Sequence, residues 1–165
     1  MSRAVDELLQ ELQRGENDLR SELLVVGERH VKEAEVHHLS TDLARWCEQN
    51  LDALARLTGD AAPSQADPGA DDHSGVVAAV RQKAAGALGH RPEPGLLLLR
   101  DLRALYLLAS ENSVNWTMLG QVAQASRDRE LLDVVDTCHP RTLRQVKWCN
   151  NTIKTHAPQI LGRRS

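Results

Sequence analysis

The sequence contains no phenylalanine, one tyrosine and three tryptophans in 165 residues. A core with so few rings must be built from Leu, Val and Ala, which suits helix packing and leaves little surface for stacking bases. Cysteine is also scarce. Cys47, Cys138 and Cys149 form no C-x-x-C pair, which argues against a thiolate metal site. All three fall in helical stretches, two of them beside Trp46 and Trp148, and read as buried, reduced thiols. Long apolar runs are missing: stretches such as Leu96–Leu99 are far short of a membrane span. There is no excess of positive charge. The net charge is -3, Lys and Arg are dispersed, and Arg163–Arg164 is a short solvated tail, so no nucleic-acid surface is expected. No Gly-rich phosphate loop and no nucleophile–histidine motif occurs. The opening residues MSRAVDELLQEL are acidic and amphipathic rather than a signal peptide, which predicts a cytoplasmic location.

What is present is helical periodicity. A first helix is predicted over 3–28, with Val5, Leu8, Leu9, Leu12, Leu19, Leu23 and Val26 on one face. A second is predicted over 33–57, with Val36, Leu39, Leu43, Trp46, Leu54 and Leu57 as its stripe and Gly59 as its stop. A third covers 96–125 and carries Leu98, Leu102, Leu105, Ala109, Trp116, Leu119 and Ala123. A fourth begins near Arg127 and turns Leu131, Val135, Cys138, Thr142, Val146, Cys149 and Ile153 inward. Pro140 predicts a kink or split in that helix near 137–140, and Pro158 helps to end it.

Between the two helical hairpins, 3–58 and 95–157, lies a break over 59–94, too long for a tight turn. Residues 60–74 hold two prolines, one glycine and four aspartates, which predicts a mobile linker. Residues 76–88 read as a short crossover helix. A 25-residue helix is ~38 Å long, and a crossover must return the chain along that length. The expected architecture is therefore all-α: one domain over 1–165, a ferritin-like four-helix bundle of two antiparallel hairpins joined by a long crossover.

Bundles of this kind build metal sites from inward carboxylates and Glu-x-x-His pairs. Glu35-x-x-His38 and Asp136-x-x-His139 have the spacing, but in the crossover topology they sit at different heights and cannot share a metal. Mid-bundle, Glu16 interrupts the apolar stripe of the first helix. Asn50, Glu111 or Asn112, and His139 fall at similar heights on the other three. As metal ligands the candidates are Glu16, Glu111 and His139. As a polar core layer they are Glu16, Asn50, Asn112 and His139, and this reading is preferred, because amides are poor ligands and iron or manganese needs carboxylate charge. His30, His37 and His156 gather at one predicted end.

The stretch RPEPGLLLLRDLRALYLLASENSVNWTMLGQVAQASRDRELLDVVDTCHPRTLRQVKWCNNTIKTHAPQIL resembles the second half of uncharacterised actinobacterial proteins in which CHP-x-TLRQ-x-x-W precedes a final K-x-x-x-PQ. The pattern distantly resembles ferritin-like stress-protein bundles of the YciE/YciF type. The resemblance implies a ferritin-like fold and dimerisation. Where such bundles bind metal, the second and fourth helices supply Glu-x-x-His. The corresponding stretches here read Cys47-Glu48-Gln49-Asn50 and Asp136-Thr137-Cys138-His139.

The expected function is that of a non-catalytic bundle acting through self-association or a protein partner, in a stress-related role. The alternatives are a di-metal oxidase or iron-handling protein, and a helical sensor of a small ligand. A homodimer is expected through Leu24, Val25, Leu97 and Leu107, which lie off the inward stripes.

Overall fold

A computed structural model of the chain describes residues 1–59 and 93–162. The described residues form four helices and no strand: α1 (Arg3–Arg29), α2 (Ala34–Thr58), α3 (Pro94–Ser126) and α4 (Arg129–Leu161). The predicted linker and crossover helix at 60–88 lie outside the described residues. No described helix is long and apolar enough to cross a membrane.

Local chemistry fixes the helix ends. Ser2 accepts from the Val5 amide at the start of α1, and Asp128 accepts from the Leu131 amide at the start of α4. Pro94 occupies the first turn of α3, where its missing N–H costs nothing. Gly59 ends α2 in the left-handed region at φ 73°. Arg127 takes a similar conformation at φ 56° in the tight α3–α4 turn.

α4 is not split at Pro140; it runs through both Pro140 and Pro158 and ends at Leu161, beyond the end expected at Pro158. Pro140 is exposed, and so is Asp136, whose carbonyl loses its partner on the solvent side of the helix rather than in the core. Pro158 sits in the last turns, where its own carbonyl receives the Gly162 amide.

α1 packs on α2 and α3, and α4 packs on α2 and α3. The end of α1 meets the start of α3, through Arg29 and Asp101. Glu16 meets Trp116 further along, so α1 and α3 run antiparallel. Two apolar clusters fill the interior. One contains Leu19, Leu23, Val26, Val36, Leu43, Leu98, Leu102 and Leu105. The other contains Leu9, Leu12, Leu54, Trp116, Leu119, Leu131 and Val135. Each fully buried Leu contributes about 2–3 kcal/mol. Both clusters come from steps of three and four on every helix.

Of the four aliphatics assigned to an outer face, Val25 is buried and Leu24 packs on the first cluster, whereas Leu107 is exposed. Periodicity places a residue relative to its own helix axis and does not say which neighbouring surface covers the flank.

Candidate functional site

Between the two apolar clusters lies a polar layer with contributions from all four helices. Its centre is Glu16, fully buried. Trp116 Nε1 donates to Glu16 Oε1 at 3.0 Å, and Asn50 Nδ2 donates to the same oxygen at 3.1 Å. Arg141 Nη1 donates to Asn50 Oδ1 at 3.2 Å, which extends the network from α1 through α2 to α4. Gln145 Nε2 donates to the Leu43 carbonyl at 3.0 Å and to Cys47 Sγ at 3.2 Å. Glu16 Oε2, Asn112 Nδ2 and Gln145 Oε1 are buried without a hydrogen-bond partner in the protein.

Burial raises the Glu16 pKa above the ordinary carboxylate value, and the hydrogen bonds from Trp116 and Asn50 pull it back in part. All its partners are neutral. With Oε1 taken by two donors, Oε2 is the oxygen that carries a proton when the group is neutral. The thiols are shifted the same way by the same cause. Burial pushes Cys138 to about 11 and Cys149 to about 12, and raises Cys47 further with help from Glu16. None of them is poised as a thiolate nucleophile.

Of the candidate residues, the structure joins Glu16 and Asn50 directly. Asn112 is buried in the same layer, against Gly15 of α1. His139 lies to one side: it is half-buried, and its Nε2 is 3.0 Å from Ser113 Oγ at the α3–α4 seam. Desolvation lowers its pKa. Glu111 faces outward on α3. Glu16, Glu111 and His139 are therefore not brought together. Among the described residues no group of three His, Cys, Asp or Glu side chains is arranged to hold a metal ion. The layer offers one carboxylate, already engaged by two neutral donors, and this donor set does not fit a di-metal centre.

A second cluster was not anticipated from the sequence. At the far end of α1, Arg29 Nη1 contacts both oxygens of Asp101, at 2.7 and 2.8 Å, and His30 Nε2 lies 2.6 Å from Asp101 Oδ2. Asp101 is 5% exposed. Arg29 and His30 also line a cleft of about 480 Å³ with Lys32, Glu93, His156 and Gln159. His37 is not part of it and bonds the Gly27 carbonyl at 2.8 Å. The only sequence signal was the histidine count near one end; Asp101, which organises the cluster, gave none.

No protein-family model, curated protein or solved structure matches the chain.

Proposed function

We propose that the chain is a ferritin-like four-helix bundle that works without catalysis, through self-association or a protein partner, in a stress-related cytoplasmic role. The connectivity supports the ferritin-like part. The end of α1 lies beside the starts of both α2 and α3, through Gly27 and Ser40 on one side and Arg29 and Asp101 on the other. α2 then ends at the opposite extremity from the start of α3, the placement of helix ends that goes with a long crossover.

The observation that carries the functional reading is the Glu16 layer. Where a di-metal bundle needs several charged ligands at one height, this layer has one carboxylate, held by an indole and an amide. A layer of this kind fixes helix register rather than reactivity. The stress and cytoplasmic assignments rest on the family resemblance and the composition.

The test is metal analysis of protein purified without chelator, combined with thermal melts with and without chelator. The expected result is less than one iron or manganese per chain and no chelator effect on Tm. More than one tightly bound metal per chain, lost in Glu16→Leu, would overturn the reading.

A further inference from the structure

Two stripes of like composition run side by side on the outer surface of the α3–α4 pair. On α3, Leu96, Arg100, Arg103 and Leu107 follow one another at helical steps of three and four, and all are exposed. On α4, Leu143, Lys147 and Lys154 recur one and two turns apart, and all are exposed. The contacts of Ser113 with His139 and of Gly95 with Ile160 fix the register of the two antiparallel helices. That register brings Lys147 level with Tyr106 and Lys154 level with Arg100. Four cations and three leucines thus share one patch, ~20 Å long and ~20 Å wide. Arg144, beside Leu143, adds a fifth exposed cation at its edge.

The patch is of one sign. Over 94–110 and 137–161 the sole acid is Asp101, which is buried and paired with Arg29. Among the described residues no ion pair engages Arg100, Arg103, Arg144, Lys147 or Lys154. Glu93 and Glu111 bound the patch on α3, and Asp136 bounds it on α4. The other hairpin is acidic: residues 1–59 hold twelve Asp and Glu against seven Lys and Arg. Its acids nearest the level of the patch are Glu22 and Glu28 on α1 and Glu35 and Asp42 on α2, and Asp42 is paired with Arg45.

We propose that this patch docks the bundle on an anionic lipid surface, with α3 and α4 lying in its plane. Charge selects an anionic partner, and the leucines select lipid among anionic partners. Lys and Arg reach the headgroups while the leucines between them enter the boundary with the acyl chains, the division of labour of an interfacial helix. A phosphodiester backbone gives leucine nothing to be buried against. The ring nearest the patch, Tyr106, packs on the core and is not free to stack on bases. A convex helix pair also suits a flat surface, whereas a peptide is taken up in a groove or along a sheet edge. The acidic α1–α2 hairpin is repelled by the same surface and turns the bundle so that α3 and α4 face it.

Flotation with vesicles tests this. The wild type should bind phosphatidylcholine vesicles containing about 30% phosphatidylserine, should not bind phosphatidylcholine alone, and should be released as salt rises from ~0.05 M to ~0.5 M. Arg103→Gln/Lys147→Gln should weaken binding about 25-fold, roughly five-fold for each charge removed. Leu107→Ser/Leu143→Ser should weaken it about ten-fold at unchanged charge. Arg3→Gln/Arg14→Gln removes two charges from exposed sites on α1 and should leave binding within about two-fold. All six positions are exposed, so helical circular dichroism should be the same in every variant.

No flotation at about 1 mM lipid overturns the proposal. Binding that survives Arg103→Gln/Lys147→Gln overturns the patch as the docking surface. Binding indifferent to the leucine changes, or a tighter complex with a short DNA duplex than with vesicles, overturns lipid as the partner. None of these outcomes depends on the metal content or the association state of the bundle, so they stand or fall apart from the reading above.

Discussion

The molecule buries two carboxylates between α1 and α3, and it satisfies them in opposite ways. Asp101, near the start of α3, is held by a cation: both its oxygens contact the Arg29 guanidinium, and one also contacts the His30 ring. Glu16, at mid-length, is held by neutral donors, an indole N–H and an amide. The difference follows from position. At the bundle end the long Arg29 side chain keeps part of itself near water, so a charge pair forms without full desolvation of both ions. At mid-length there is no route to water, and the pKa of the carboxylate rises instead. The Asp101 cluster should therefore be costly to break, whereas the Glu16 layer tolerates loss of its charge.

The largest effect is expected at Asp101. Asp101→Ala leaves Arg29 and His30 facing each other without their anion. It should cost about 3–5 kcal/mol, the range for removing one partner of a buried pair. Urea unfolding measures this directly. A loss below about 1 kcal/mol would show that the pair is screened like a surface bridge, and the contrast with Glu16 would collapse.

This contrast also marks how far the sequence could be read. Glu16 was visible because a carboxylate replaced a leucine in a regular stripe, and Asn50 because it fell between Trp46 and Leu54. Both readings use only the geometry of a single helix. Trp116 was assigned to the core, but not as the donor to Glu16, because that contact depends on the relative height of α1 and α3. Gln145 gave no signal at all; its bonds to the Leu43 carbonyl and Cys47 depend on how α4 slides along α2. Arg29, His30 and Asp101 look like solvated residues near helix ends until those ends meet. Helix extents were read to within a few residues, and the split allowed for at Pro140 does not occur. Glu111 was placed near the inward face by a margin of one residue. Its neighbour Asn112 is the one that points in, and a helix turns by 100° between them.

A smaller effect is expected where α1 and α3 approach most closely beside Glu16. A Cβ on Gly15 would lie 2.0 Å from Asn112 Oδ1 and 3.1 Å from its Cγ. Asn112 is 1% exposed, so its side chain has little room to retreat. Gly15→Ala should cost about 1–3 kcal/mol through overpacking, despite the better helix propensity of alanine. Asn112→Ala removes both the obstacle and an unpartnered buried amide nitrogen. The double variant should then be more stable than the sum of the two single changes predicts, and a double-mutant cycle measures that coupling. Simple additivity would mean that the helices separate to admit the methyl group.

The smallest effect, and the sharpest test of the neutral layer, is the pH profile of Glu16→Gln. The folded-state pKa of Glu16 is raised above its ordinary value of 4.5, so the native state holds that proton more tightly than the unfolded chain. The stabilisation this gives is fully present below pH 4.5 and is lost as pH rises through the raised folded value, by about 1.4 kcal/mol for each unit of the rise. His139 works the other way. Its pKa is lowered from 6.5, so its contribution is present above 6.5 and is lost as pH falls. Comparing variant and wild type at each pH cancels His139. Glutamine keeps an oxygen for Trp116 and Asn50 and carries no charge at any pH. Glu16→Gln should therefore gain stability relative to wild type as pH climbs from 4.5 toward 8, with little difference at the acid end. A relative loss over that range would mean that ionised Glu16 is favoured in the fold by a nearby cation, either the Arg141 guanidinium that reaches Asn50 or a bound metal, and chelator would tell the two apart.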